Sequence, residues 1–180
     1  MAIRSATLAD LEAVAEIYRH YVEHSVATFD TTPLTVDQWG TKLDDLSARG
    51  LPFLVADEGA GAIGFAYAGP WRPKPAYLHT VEDTIYLAPG YTGKGLGVAL
   101  LDAVLNACVA AGVRQVVAVI ADTGSDASAA LHRRLGFSDA GRLAGVGHKH
   151  GRWVDTLLMQ RDLTTSAPPG SPGASRPSPG

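Results

Sequence analysis

Between residues 7 and 24 the apolar positions fall three or four apart. Leu11, Val14, Ala15, Tyr18 and Val22 form one stripe, the spacing of a helix with a single buried face. Thr7, with Asp10 three residues on, offers a hydroxyl and a carboxylate to the unpaired N–H groups of the helix start. A short candidate strand, Ala2 to Arg4, comes first. A second helix is expected after Pro33 and Thr35, with Trp39, Leu43 and Leu46 on one face and Gly50 and Pro52 ending it. The period then drops to two. PFLVAD (52–57) and IGFAYAG (63–69), joined by the turn EGAG, read as a hairpin, and TVEDTIYL (80–87) alternates as a further strand. A glycine-rich loop leads into a helix running to about Ala111. QVVAVI (115–120) is a continuous apolar run, expected to be a strand buried on both faces. A helix from Ser125 to Leu135, closed by Gly136, and two strands near Asp139–Gly147 and Trp153–Leu163 complete the pattern. The order β-α-α-β-β-β-α-β-α-β-β predicts an α/β (α+β) domain, one mixed sheet with helices on both faces.

Composition bounds this picture. A chain of 180 residues, 46% apolar and 18% charged, suffices for one soluble domain with its own core. The patterned part is residues 1–163. The stretch 164–180, TTSAPPGSPGASRPSPG, holds too little apolar surface to offset its ordering entropy and is expected to be a disordered tail. A net charge of −3 without a basic block argues against nucleic acid as a partner. The apolar segment 96–111 is broken by Asp102 and Asn106 and is too short to cross a bilayer. The start MAIRSATLAD carries no signal-like apolar run, and the single cysteine, Cys108, suits a reducing cytoplasm.

The candidate chemistry begins at APGYTGKGLGVALL (88–101). It is not a P-loop, since Gly95 is followed by Leu96 where lysine is required, nor a dinucleotide fingerprint, since Val98 stands where the third glycine belongs. A helix starting near Gly95 would still present unpaired N–H groups and its positive dipole end to an anion. A glycine-rich surface turn accounts for the composition equally well. Glu82 reads as a solvated strand-edge carboxylate, with Asp83 on the opposite face. His132, on the stripe Ala129–His132–Leu135, reads as a packing residue, and Arg72 and Lys74 as solubility charges. Cys108 continues the stripe Val98, Leu101 and Leu105 and is expected to be buried and inert. His20, Glu23 and His24 spell H-x-x-E-H, a zinc peptidase signature that lacks a third ligand here. His148 and His150 could share a strand face, but two imidazoles alone do not make a zinc site.

The order of elements, the G-x-G-x-G opening a helix and ALHRRLGF (130–137) closing the next resemble the GNAT superfamily of acetyl-CoA-dependent N-acetyltransferases. Within it, IRSATLADLEAVAEIYRHYVEHSVATFDTTP, AYAGPWRPKPAYLHTVEDTIYL, VVAVI and GHKHGRWVD resemble the phosphinothricin (glufosinate) and methionine sulfone/sulfoximine acetyltransferases, over essentially residues 2–163. The resemblance implies the GNAT fold, with a mostly antiparallel sheet. It implies acetyl-CoA as co-substrate, held at Leu87, Gly93, Lys94, Gly95, Leu96, Gly97, Ser125 and Ser128. Thr92 and Ser125 depart from the family's longer polar residues, so the cradle would work through its backbone. It implies Glu82 as general base and His132 as a second acid/base. Phe29, Arg72, Lys74, Tyr77, Thr84 and Tyr86 would line the acceptor site. Direct transfer in a ternary complex follows, without a metal, with backbone amides near Leu87 steadying the oxyanion. A homodimer in the cytoplasm is implied as well, and Gly95→Val would crowd the loop. Another amine acceptor, a non-catalytic acyl-CoA-binding module and a zinc peptidase stand as alternatives.

Overall fold

A computed structural model of the chain describes residues 1–164. Apart from Thr164, the tail expected from residue 164 lies outside the described residues. Seven strands form one sheet in the order β1-β2-β3-β4-β5-β7-β6. They are β1 (Ala2–Ser5), β2 (Phe53–Asp57), β3 (Ala62–Pro70), β4 (Thr80–Leu87), β5 (Gln115–Ala121), β6 (Ser138–Lys149) and β7 (Arg152–Asp162). Every adjacent pair is antiparallel except β4–β5. The α-helices are α1 (Leu11–His24), α2 (Val36–Ala48), α3 (Leu96–Ala110) and α4 (Ala127–Arg134). The order predicted from periodicity is the order found.

Two cores flank the sheet. On one face, α1 and α2 bury Leu11, Val14, Val22 and Trp39 against Phe53, Val55 and Phe65. Trp39 sits edge-on to Tyr18 and Phe65, each 5.3 Å away between ring centres. On the other face, Leu100, Leu101, Val104 and Leu105 of α3 and Ala129 of α4 pack against Val81, Val116 and Met159. The β5 expectation needs correcting here. Val116 and Ala118 are buried, but Val119 is 40% exposed. The α1/α2 core takes strand residues from β2, β3 and β4 and none from β5, so among the described residues those helices leave that face uncovered at Val119.

Local chemistry sets the helix boundaries. Thr7 and Asp10 do form a capping box, but over a 3-10 turn, Leu8–Asp10, that feeds α1. Thr35 and Gln38 form the box of α2, with Gln38 N donating to Thr35 Oγ1 at 3.2 Å and Thr35 N to Gln38 Oε1 at 2.8 Å. Helix α4 starts two residues later than expected. Ser125 Oγ accepts the Ala127 N–H at 3.3 Å, holding 125–126 as a turn in place of helix.

The register places the site. Strands β4 and β5 pair only over Thr80–Glu82 with Gln115–Val117. Beyond that, β4 continues against β3 up to Leu87–Gly64, and β5 continues against β7 up to Ala121–Thr156. The sheet therefore splits immediately after Glu82.

Arg4 ties β1 to both neighbours of the first core. Its guanidinium meets both Asp10 oxygens at 2.8 Å and Asp57 Oδ2 at 2.7 Å. The Arg4 hydrogen bond leads the effects that bring Asp10 down to about 2. A folded pKa below the unfolded value, about 3.9, means that this stabilisation is complete above about pH 4. It is lost as the pH falls through about 2. Arg4→Met is expected to lower the midpoint of thermal unfolding by several degrees at pH 7. Circular dichroism melts in an acid series check the sign, since the gap to wild type closes toward pH 2.

Candidate active site

The split between β4 and β5 opens a cleft of about 680 Å³. Glu82–Leu87 wall one side and Ala118–Ala121 the other, and the end of α1, the glycine loop and α4 complete the lining. Neither strand has a strand partner across the gap beyond Glu82 and Val117. Backbone N–H and C=O groups there need partners, and an extended ligand carrying amides can supply them as a third strand would.

Strand alternation gives the two faces of β4 different neighbours. Val81, Asp83, Ile85 and Leu87 point toward α3 and α4, where Val81 is buried and Ile85 and Leu87 pack on the same core. Glu82, Thr84 and Tyr86 point the other way, toward α1 and α2, where the Tyr86 ring lies 5.2 Å from Tyr18 and 4.9 Å from Tyr21. Tyr21 OH in turn donates to Leu87 O at 2.7 Å, bracing the end of α1 on the strand.

Glu82 occupies the apex of the split, opposite Gly69 of β3 and Val117 of β5. Burial pushes its carboxyl pKa up and the Asp83 charge adds to this, while Arg72 and Lys42 pull partly back. A half-buried carboxylate with a raised pKa beside an open cleft is suited to taking a proton near neutral pH.

The glycine loop presents Thr92, Gly93, Gly95 and Gly97 to the cleft. Gly95 is the residue before α3 and has φ 80°, and Gly93 has φ 75°. A Cβ at Gly95 would meet nothing within 4 Å. The expected crowding by Gly95→Val is thus replaced by backbone strain, since a β-branched residue in the left-handed region is an outlier. No acidic residue occupies the first turn of α3, so its positive end stands unopposed.

Of the residues expected to hold the cofactor, Leu87, Gly93, Gly95, Gly97, Ser125 and Ser128 line the cleft. Lys94 and Leu96 do not. The Lys94 ammonium lies over the Tyr91 ring at 5.4 Å, and Leu96 is buried in the α3 core. Leu87 is five residues from Glu82, about 17 Å along an extended strand.

Among the expected acceptor residues, Thr84 and Tyr86 line the cleft. Phe29, Arg72, Lys74 and Tyr77 stand outside that lining. The Arg72 guanidinium stacks 4.7 Å over Trp71, and Lys74 and Tyr77 are exposed on the β3–β4 connection. Tyr21, Ser25 and Ala27 do line it and carried no motif to reveal them.

His132 is not free. Its Nδ1 lies 2.7 Å from Ser128 O and its Nε2 2.9 Å from Asp83 Oδ2, with both side chains buried. A carbonyl only accepts, so Nδ1 carries a proton, and the carboxylate calls for one on Nε2 as well. Burial pulls the His132 pKa down, but Asp83 and the Ser128 carbonyl together leave it raised. Asp83 Oδ1 is buried without a hydrogen-bond partner among the described residues. Cys108 is fully buried and its thiol is pushed up to about 12 by burial, as its stripe predicts for an inert residue. In H-x-x-E-H, His24 Nε2 is 3.8 Å from Glu23, yet no group of three or more His, Cys, Asp or Glu is placed to hold a metal among the described residues. No helix among them is long and apolar enough to cross a membrane.

The acetyltransferase (GNAT) family is matched over residues 11–137. The chain is 42% identical over 167 residues to a phosphinothricin N-acetyltransferase of Streptomyces viridochromogenes, covering 93% of this chain and 90% of that protein. It is 41% identical over 169 residues to an L-methionine sulfoximine/L-methionine sulfone acetyltransferase of Pseudomonas aeruginosa, covering 92% and 98%. Among solved structures it is similar to a GNAT superfamily phosphinothricin acetyltransferase of Sinorhizobium meliloti in complex with AcCoA. The TM-score there is 0.86, with 42% identity and 94% of each chain covered.

The Asp83–His132 pair yields a prediction. Nitrogen NMR is expected to show two ring N–H protons on His132 at pH 6, and a bare ring nitrogen would contradict the assignment. Asp83→Asn should cost about 3 kcal/mol by leaving a buried charge uncompensated. A raised folded pKa places that contribution in full below about pH 6.5 and removes it as the pH rises through the folded value. Denaturant titrations of both proteins should therefore converge in alkali.

Proposed function

The chain belongs to the acetyltransferase (GNAT) family, and from that premise we propose that it acetylates the α-amino group of a small amino-acid-like acceptor. Phosphinothricin (glufosinate), methionine sulfone and methionine sulfoximine are the acceptors that the relatives' names suggest. The observation that carries the reading is the alternation on β4 at the split. Glu82 faces α1 and α2, whereas the glycine loop and α3 lie on the opposite side. The amine thus arrives from one face and the pantetheine arm from the other, meeting at the apex.

Acetyl-CoA, when bound, supplies the acetyl thioester; the free edges of β4 and β5 and the loop 92–97 have the unpaired amides its arm and pyrophosphate require. Glu82 removes the proton that an amine carries at neutral pH, directly or through one water. Backbone N–H groups of β4 toward Leu87 donate to the carbonyl oxygen as charge develops there. For His132 to give a proton to the departing thiolate, its bond to Asp83 has to open, so Glu82 carries more of the chemistry. Buried Cys108 is unsuited to a covalent route, which favours direct transfer.

Arg72 and Lys74 are the cations nearest in sequence to the base for an anionic acceptor. Their position outside the lining is the observation that favours a second reading, another small amine or amino acid. Acetylated glufosinate would make the enzyme a source of herbicide resistance. A homodimer would use the exposed Leu143, Val146 and Trp153 of the β6–β7 hairpin. Acetyl-CoA supply and a reduced thiol both fit the cytoplasm.

A thiol-release assay across amino-acid analogues tests the reading; no release with any of them would sink it. Glu82→Gln is expected to lower kcat by about 100-fold or more with acetyl-CoA affinity nearly unchanged. In the wild type, kcat/KM should rise with pH through a value above the ordinary glutamate pKa, because burial holds the Glu82 proton. That acid limb disappears in the Gln variant. Gly95→Val should weaken acetyl-CoA binding more than it slows turnover at saturation.

A further inference from the structure

Lys149, at the end of β6, is only 4% exposed although it carries an ammonium. Its Nζ donates to Thr28 O at 2.8 Å and to Tyr21 O at 3.5 Å, both backbone carbonyls. Among the described residues no carboxylate contacts it in compensation, and burial pulls its pKa down, with Asp30 opposing at longer range. A buried amine of this kind is costly unless the groups it satisfies need it. Tyr21 O, in the last turn of α1, already accepts the Ser25 N–H at 3.1 Å, so Lys149 is a second and longer donor there. Of the two carbonyls, Thr28 O is the one that needs the ammonium. Thr28 O belongs to an irregular segment with no strand ladder to satisfy it.

Gly147 lies two residues earlier, on the same strand face. A Cβ there would come within 3.0 Å of three atoms of the Phe29 ring. No positive φ is involved at this glycine, so the requirement is for space. The ring seats directly on β6 because no side chain intervenes. Segment 25–30 is thus held to β6 twice, through its backbone by Lys149 and through the Phe29 ring by Gly147.

The same segment is stitched internally. Tyr18 OH donates to Asp30 Oδ2 at 2.6 Å and lies 2.8 Å from Thr28 Oγ1, which accepts the Asp30 N–H at 3.2 Å. Tyr86 OH reaches Ala27 O at 3.4 Å, linking the segment to β4. Ser25 and Ala27 line the cleft on the side that Glu82 faces.

We propose that Lys149 and Gly147 are positioning residues for the acceptor, clamping segment 25–30 as the α1-side wall of the cleft. The side assignment rests on the function proposed above; the clamp itself does not. A strand some sixty residues beyond the base thereby sets how tightly the amine substrate is held. It leaves the acetyl-CoA side, built on the opposite face, unaffected.

The test has two arms. In Lys149→Met, which keeps most of the side-chain volume, amide hydrogen exchange over Ser25–Asp30 should accelerate at least tenfold relative to wild type. Exchange in α3 should stay unchanged. In steady-state kinetics, Lys149→Met and Gly147→Ala should each raise the acceptor KM about tenfold while the acetyl-CoA KM stays within about twofold. In a Phe29→Ala background, Gly147→Ala should add less than a further twofold, since the ring it displaces is gone. Unchanged exchange over 25–30 overturns the clamp, and so does an acetyl-CoA KM that rises in parallel with the acceptor KM. A wild type that acetylates no amine would refute the proposed function, and the exchange arm would then decide the clamp alone.

Discussion

The structure depends on where one parallel strand pair stops. Strands β4 and β5 hold together for three residues, Thr80–Glu82 with Gln115–Val117, and then follow different partners. Each keeps its outer ladder, so the sheet is stable on both sides of the gap while two inner edges stay unpaired. Unpaired backbone in a cleft is a demand for a ligand that resembles a strand. A mixed sheet with one parallel junction provides that demand there, beside the half-buried carboxylate of Glu82. The glycine loop follows directly on β4, so the start of α3 and the strand edge lie along one continuous path.

Separation of faces follows from the same junction. Period-two alternation sends Glu82, Thr84 and Tyr86 to one side and Asp83, Ile85 and Leu87 to the other. Burial and the neighbouring Asp83 push the Glu82 pKa up, and Arg72 and Lys42 pull it partly back. Beneath the strand, His132 neutralises Asp83, so the charge that perturbs Glu82 is held in a buried pair. The α1-side wall depends on more distant parts of the chain: Lys149 and Gly147 of β6 meet Thr28 and Phe29 through contacts over a hundred residues apart in sequence.

Periodicity carried the fold. Stripes at three and four mark α1 and α2 because each has one buried face, and alternation marks β4 because its two faces meet different cores. Where a pattern misled, coverage was the cause: VVAVI reads as doubly buried, yet α1 and α2 do not extend over β5, and Val119 is left exposed. The glycine loop was legible because glycine is the residue that positive φ demands, at Gly93 and Gly95. Lys94 and Leu96 share that loop, but their side chains turn toward Tyr91 and the core. Asp83 as the partner of His132, and Lys149 as the partner of Thr28, were not legible. A carboxylate on a strand and a lysine near a hairpin carry no local mark of burial, which is a property of the assembled fold. Tyr21, Ser25 and Ala27 enter the cleft because α1 ends beside β4, again a tertiary outcome.

On the proposed function, the unpaired edges of β4 and β5 and the loop between β4 and α3 receive acetyl-CoA. Backbone amide exchange, followed with and without saturating acetyl-CoA, reads those groups directly. Exchange is expected to slow within residues 83–87 and 93–97, with little change in α2 or in β1. Protection confined to other segments, or none along β4 beyond Glu82, would overturn that placement.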